Sequence, residues 1–203
     1  MFTRRSIEVT TPAGVTVDHR LIAHDDPVGL LILLPGRGYT CDHPVLHYLR
    51  KAAADLGYDV LSVWYSFQVA SIPDDQVTMQ QLAAEVDQAI KGVLQLNSGY
   101  KRVCIAGKSL GTPLAVLHAQ QAERLILLTP IGTSVQDAGS KPTLAIIGTA
   151  DPVYDPASIN ASRENVEWLV LDGLDHGLEA AGDWEASLDG LQQITQTCVE
   201  FLS

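Results

Sequence analysis

Short, nearly unbroken apolar runs recur along this chain from residue 29 onward: Leu30–Leu34, Val60–Trp64, Val103–Ala106, Leu125–Leu128, Leu144–Ile147 and Val166–Leu171. Strands covered on both faces read this way, because neither side of the pleat meets water. Ahead of them, residues 6–11 and 14–22 alternate loosely and are separated by Pro12-Ala13-Gly14. That pattern predicts two extended segments joined by a turn, an antiparallel hairpin at a sheet edge.

Between the runs, apolar positions recur at three- and four-residue spacing. One predicted helix starts at Asp42-His43-Pro44, carries Val45, Leu46, Leu49, Ala52, Ala53 and Leu56, and stops at Gly57. A longer one follows Pro73-Asp74-Asp75, with Met79, Leu82, Ala83, Val86, Ala89, Ile90, Val93 and Leu94 on its buried face. Others follow residue 109, lie near 156–163, and run from about Trp184 to Leu202 with Leu188, Leu191, Ile194, Cys198 and Phe201 inward. Alternating strand and helix predict an α/β fold, a mainly parallel sheet with helices on both faces, in one domain spanning 1–203. Such sheets place their chemistry at the carboxyl ends of the strands.

Composition narrows the function classes. With 13 Lys+Arg against 24 Asp+Glu the formal charge is −11, which argues against a nucleic-acid partner, since phosphates require a basic face. No apolar run approaches the ~20 residues that cross a bilayer, and Met1-Phe2-Thr3-Arg4-Arg5 leads into an extended segment rather than a secretion signal. Cys41, Cys104 and Cys198 are odd in number and scattered, so neither a disulfide framework nor a zinc motif is expected. These features give the expectation of a cytoplasmic protein without membrane partners, of undefined oligomeric state.

The strongest chemical signal is Gly107-Lys108-Ser109-Leu110-Gly111, a G-x-S-x-G sequence placed between a predicted strand and a predicted helix. A serine thrust out on so sharp a turn needs small residues two positions either side, so that strand and helix can approach. The helix N-terminus then favours negative charge developing beside the serine. Pro113 is tolerated only in a first helical turn, which places the helix start at about Ser109 or Leu110.

A serine hydroxyl becomes nucleophilic only when a base takes its proton, and a carboxylate fixes that base's tautomer. Asp151 follows the run ending at Gly148, and His176 follows the run ending at Leu171, both in loops at strand carboxyl ends. The order is Ser, Asp, His. Asp155 is the main rival carboxylate, followed by Asp172 and Asp175. His19 and His24 fall on the edge strands and His118 inside a helix. His43 and His47, four apart, would supply half a metal site with no third ligand in view, so no metal is expected. For the oxyanion that forms at a substrate carbonyl, one backbone N–H donor is that of Leu110. The other is assigned to Arg37, in the segment Pro35-Gly36-Arg37-Gly38-Tyr39. Gly36, Gly38, Tyr39 and Lys108 are candidate substrate contacts, with Arg37 and Lys108 placed to draw in an acidic group.

Gly107–Gly111, Asp151, His176 and the Pro35–Gly38 loop together resemble the α/β-hydrolase family, over nearly the whole chain from residue 29. The resemblance implies an eight-stranded sheet with an antiparallel start and hydrolysis through an acyl-enzyme, with no cofactor. It leaves open whether the small-molecule acyl substrate is an ester, thioester, lactone, amide or peptide. The chain departs from the commoner pattern in having Pro35-Gly36 where many members have His-Gly. Only a dozen residues lie between Thr129 and Pro142, where larger relatives insert a cap, which implies an open, lidless cleft. The serine at 109 differs from the cysteine of dienelactone hydrolases. The expected function is a serine carboxylesterase or thioesterase. The alternatives are a catalytically silent member that binds a partner or ligand, and an acyltransferase built on the same residues.

Overall fold

The computed structural model describes residues 2–11, 14–70, 73 and 76–203. Pro12 and Ala13 of the predicted turn, and Asp74 and Asp75 of the predicted helix start, lie outside the described residues. Phe2–Thr10 (β1) and Thr16–His24 (β2) pair antiparallel from Phe2 opposite His24 to Thr10 opposite Thr16. The apolar runs form Leu30–Leu34 (β3), Asp59–Ser62 (β4), Val103–Lys108 (β5), Arg124–Leu128 (β6), Thr143–Gly148 (β7) and Val166–Leu171 (β8). They join one eight-stranded sheet in the order β1-β2-β4-β3-β5-β6-β7-β8. β2 meets β4 antiparallel, and every pairing from β4 to β8 is parallel.

Parallel neighbours need crossovers, and helices supply them. Pro44–Asp55 (α1), Ser66–Val69 (α2), Met79–Leu96 (α3), Gly111–Leu117 (α4), Ser134–Asp137 (α5), Pro156–Asn160 (α6) and Trp184–Leu202 (α7) follow in chain order. The alternation within β3 shows how the two layers form. Leu30, Ile32 and Leu34 pack with Val86, Ile90 and Leu114 from α3 and α4, while Leu31 and Leu33 pack with Leu46, Leu49 and Ile194 from α1 and α7. All five β3 side chains are fully buried, each contributing ~1.5–3 kcal/mol of hydrophobic stabilisation. At the chain end, the Tyr58 hydroxyl donates to the Leu202 carbonyl at 2.7 Å and ties α7 to the β4 layer.

Several boundaries differ from the sequence expectation. α3 begins at Met79 because Thr78 and Gln81 form a reciprocal cap: Thr78 Oγ1 accepts the Gln81 N–H, and Gln81 Oε1 accepts the Thr78 N–H. Met79, in the first turn, faces solvent, and so does Leu188 in α7, where Gly190, Ile194, Cys198 and Leu202 are the buried positions. The four-residue helices α2 and α5 were not predicted, being too short for a periodicity. Among the described residues, no helix is long and apolar enough to cross a membrane.

Burial sets the protonation of His19. Its Nδ1 accepts the Trp64 N–H at 3.2 Å, so the ring proton sits on Nε2, which is buried without a partner. Desolvation lowers its pKa from 6.5 to about 4, against the opposing charge of Asp18. Below the unfolded value the unfolded chain takes up a proton that the folded chain refuses, so stability falls as pH drops from 6.5 towards 4. Between pH 7 and 4.5, denaturant unfolding of His19→Gln is expected to show about 2 kcal/mol less loss of stability than the parent. Equal losses in the two proteins would contradict a neutral, buried His19.

Candidate active site

β5 runs straight into α4 through Ser109, whose φ of 51° lies in the left-handed region that non-glycine residues rarely occupy. The flanking glycines make this geometry possible. A Cβ on Gly107 would sit 2.2 Å from the Gly111 carbonyl oxygen, and a Cβ on Gly111 would sit 2.2 Å from that of Leu34. The turn is pinned by three hydrogen bonds: the Ser109 N–H donates to the Leu128 carbonyl, and the Thr112 N–H and hydroxyl both donate to the Ser109 carbonyl. α4 begins at Gly111, one or two residues beyond the expected start, with Pro113 still in its first turn.

The loops after β7 and β8 bring Asp151 and His176 to this turn. His176 Nε2 lies 2.8 Å from Ser109 Oγ, and its Nδ1 lies 2.8 Å from Asp151 Oδ2. A carboxylate only accepts hydrogen bonds, so Nδ1 donates to Asp151 and the Nε2 lone pair faces the serine hydroxyl. The Asp151 carboxylate is fully buried, and its Oδ1 accepts the Val153 N–H at 3.0 Å. Burial makes the imidazole its main partner and fixes the ring plane. The rival carboxylates are committed elsewhere. Asp155 caps α6 through the Ala157 and Ser158 N–H groups, Asp172 accepts from Thr149 Oγ1, and Asp175 accepts the Gly177 and Glu179 N–H groups, shaping the His176 loop.

The segment after β3 closes the other side. Gly36 packs against the turn, so that a Cβ there would meet Ser109 Cβ at 3.5 Å. The Gly36 N–H donates to the Tyr39 carbonyl, while Arg37 and Gly38 are exposed. The Tyr39 hydroxyl accepts the Val45 N–H at 3.1 Å. Two further residues, unrecognised in the sequence, hold this segment: the buried Tyr65 hydroxyl donates to the Pro35 carbonyl at 3.0 Å, and Gln68 Nε2 donates to that of Gly36 at 2.9 Å. Tyr65 caps α2 and Gln68 lies within it, and α2 is anchored by the buried Glu85 of α3 accepting the Ser66 N–H and hydroxyl. A buried carboxylate so fully bonded to one turn positions that turn.

No protein-family model matches the sequence, and no curated protein is similar to it in sequence. Solved structures are similar in shape. An α/β serine hydrolase homologue from Coxiella burnetii superposes with a TM-score of 0.70 at 18% identity, over 98% of this chain and 97% of that one. An esterase from Pyrococcus furiosus gives 0.72 at 15% identity, over 99% and 92%. A serine hydrolase without a lid from Xanthomonas campestris gives 0.69 at 14% identity, over 98% and 94%. The chain has the α/β-hydrolase fold. In this α/β-hydrolase fold, Ser109, Asp151 and His176 stand at the carboxyl ends of β5, β7 and β8, and the segment 36–39 follows β3.

Lys108 departs from its expected role as a surface cation. β5 continues through residue 108, so its side chain turns inward and is almost completely buried. Nζ donates to Thr129 Oγ1 and to the His176 carbonyl, and lies 4.9 Å from the Tyr39 ring centroid. Desolvation lowers its pKa to about 8, against the raising effect of Asp151 and Asp175. It therefore cannot reach a substrate's acidic group; it joins the serine turn to the backbone of the histidine loop. Thr129, which receives the other bond, is itself buried with a positive φ of 46°, and nothing in the sequence marks it.

His43 and His47 are likewise engaged, His43 Nδ1 accepting the Thr40 N–H and His47 Nδ1 lying 3.0 Å from Arg50 Nη2. Among the described residues, no group of three His, Cys, Asp or Glu is arranged to hold a metal ion. Lys108→Met removes the tie between the serine turn and the histidine loop. Hydrogen exchange of the amides at 174–178 is expected to quicken at least tenfold, with exchange in β6 unchanged. Equal exchange in parent and variant would show that the loop holds itself.

Proposed function

We propose that this protein is a serine hydrolase that cleaves a small carboxylic ester or thioester through an acyl-enzyme on Ser109. The observation that carries the reading is the continuous chain of 2.8 Å contacts from Asp151 through His176 to Ser109 Oγ. It is supported by the likeness in fold to proteins described as an esterase and as serine hydrolases, at 14–18% identity.

In the proposed reaction His176 Nε2 takes the proton of Ser109 as Oγ attacks the acyl carbon. Asp151 holds the Nδ1–H and stabilises the imidazolium. The carbonyl oxygen becomes an oxyanion, held by the Leu110 N–H at the head of α4 and by the Arg37 N–H in the segment that packs on Ser109. Collapse breaks the bond to the leaving group, which leaves with the proton from His176. Water, deprotonated by the same imidazole, then attacks the acyl-enzyme and returns Ser109 to its hydroxyl form. No cofactor takes part.

Substrate size follows from the space at hand. Two hollows of about 70 Å³ adjoin the loops that carry the site, one lined by Tyr39, Val45, Gly177 and Leu178 and the other by Pro130, Val135, Val153 and Trp168; Ser109 itself lines neither. Both are far below the ~300–1,000 Å³ of pockets for drug-sized ligands, which favours a short acyl group over a long one. Between β6 and β7 the chain forms only the four-residue α5, which supports an open cleft without a cap. Tyr39 is the member of the 36–39 set that walls a hollow; Gly36 and Gly38 keep the approach clear.

Turnover of p-nitrophenyl acetate or butyrate is expected to exceed that of the decanoate, and Ser109→Ala should lower it at least ~10³-fold while thermal unfolding is little changed. Turnover by Ser109→Ala equal to the parent's would remove Ser109 from the reaction. No turnover of any ester or thioester by the folded parent would favour a silent binding protein.

A further inference from the structure

Away from the serine, the outer edge of the sheet carries a cavity of about 600 Å³, several times larger than either hollow beside the loops of the proposed active site. Its origin is topological. On this face α1 packs on β3 and β4 and, of the described hairpin residues, Ile22 reaches that layer, so β1, β2 and the flank of α1 leave a trough between them. Cross-strand pairing sets Arg4 opposite Ile22, Ser6 opposite Arg20, and Arg20 opposite Ser62 of β4. His47, Arg50 and Lys51 of α1 form the facing wall. No lining residue belongs to the Ser109 site or to the segment 35–39.

Charge distinguishes this trough from the rest of the surface. Five of the 13 Lys and Arg residues line it (Arg4, Arg5, Arg20, Arg50 and Lys51) with Asp55 as the acidic lining residue, in a chain whose net charge is −11. Gathering cations into one concave site of an acidic protein focuses positive potential there. The guanidinium groups are also oriented in advance. Asp42 bonds Arg20 Nη1 at 2.8 Å and Arg50 Nη1 at 3.1 Å, and the Arg20 guanidinium stacks 5.1 Å from the Trp64 ring. A second, independent feature points to a ligand. Ser62, fully buried, lines the cavity with an Oγ that has no hydrogen-bond partner, an unmet bond that costs ~1–3 kcal/mol unless something supplies it. The lining is apolar where it is not cationic, through Ile22 and Ala54, and Phe2 exposes its ring at one end.

We propose that this trough is a binding site for a nucleoside polyphosphate, whose phosphates meet Arg4, Arg20, Arg50 and Lys51 and whose planar base lies on Phe2 and Ile22. Arginine forks match phosphate oxygens two at a time, and the volume lies within the range of nucleotide-sized ligand sites. Ser62 Oγ, closed off from solvent beneath the floor, meets a ligand oxygen when its side chain rotates into the trough. The site is separate from the proposed hydrolytic centre, and its existence does not depend on that reading.

The test is calorimetric titration of the full chain with ATP in the absence of magnesium at low salt, beside adenosine, inorganic tripolyphosphate and phosphatidylserine vesicles. ATP is expected to bind with a Kd of ~1–100 µM, weakening as salt is raised. Arg4→Glu and Lys51→Glu, both on exposed positions, should each weaken binding at least tenfold and leave ester turnover unchanged; Ser62→Ala should weaken it severalfold. Absence of ATP binding at millimolar concentration, undiminished binding by Arg4→Glu, or a preference for the vesicles overturns the proposal. Tripolyphosphate or adenosine binding as tightly as ATP overturns the assignment to a nucleotide.

Discussion

Between Gly107 and Gly111 the backbone changes from the central parallel strand to a helix within three residues, and a single added methyl at either glycine would collide with a carbonyl oxygen at 2.2 Å. That close approach of β5, α4 and the end of β3 forces Ser109 to φ 51°. Strain of this kind costs ~1–3 kcal/mol per residue and persists only where the surroundings over-determine it. Here they do, through the Leu128 carbonyl on one side and Thr112 on the other. The hydroxyl is thereby held at the rim of the sheet, where the loops after β7 and β8 can reach it.

Two supports on opposite sides keep that meeting in register. On the histidine side, Lys108 spans from the serine turn to the His176 carbonyl and Thr129, and Asp175 folds the loop by accepting the Gly177 and Glu179 N–H groups. On the side of the segment after β3, Glu85 anchors Ser66, and Tyr65 and Gln68 carry the constraint to the carbonyls of Pro35 and Gly36. Each support replaces a mobile loop by a bonded one. Side chains that must meet within a fraction of an ångström need such backing.

Legibility in the sequence followed the physical origin of each feature. β3 was readable to the residue because a strand buried on both faces shows as a bounded apolar run; β8 has the expected bounds too, but it is an edge strand in which only Leu171 is buried. The hairpin, the long helices and the convergence on Ser109, Asp151 and His176 were readable because turn chemistry and strand-end position are local properties. Side-chain direction was less readable. Met79 and Leu188 match the helical spacing yet face solvent, since the apolar stripe does not extend to the outer ends of α3 and α7. Lys108, expected as a substrate contact, is buried instead, because nothing in Gly-Lys-Ser shows that the strand continues through it. The Glu85–Ser66–Gln68 relay joins residues 66, 68 and 85 through a four-residue helix that no periodicity announces.

The acidic surface and the basic trough show the same separation between composition and place. A charge of −11 describes the chain, while the hairpin and α1 collect cations at one edge. At the sheet's carboxyl rim the central claim is that Ser109 is an activated nucleophile with His176 as its base. The most direct measurement is mass mapping after reaction with a fluorophosphonate. One adduct, on the peptide containing Ser109 and greatly slowed in His176→Ala, is the predicted result. An unmodified Ser109 peptide in the folded parent would contradict the account.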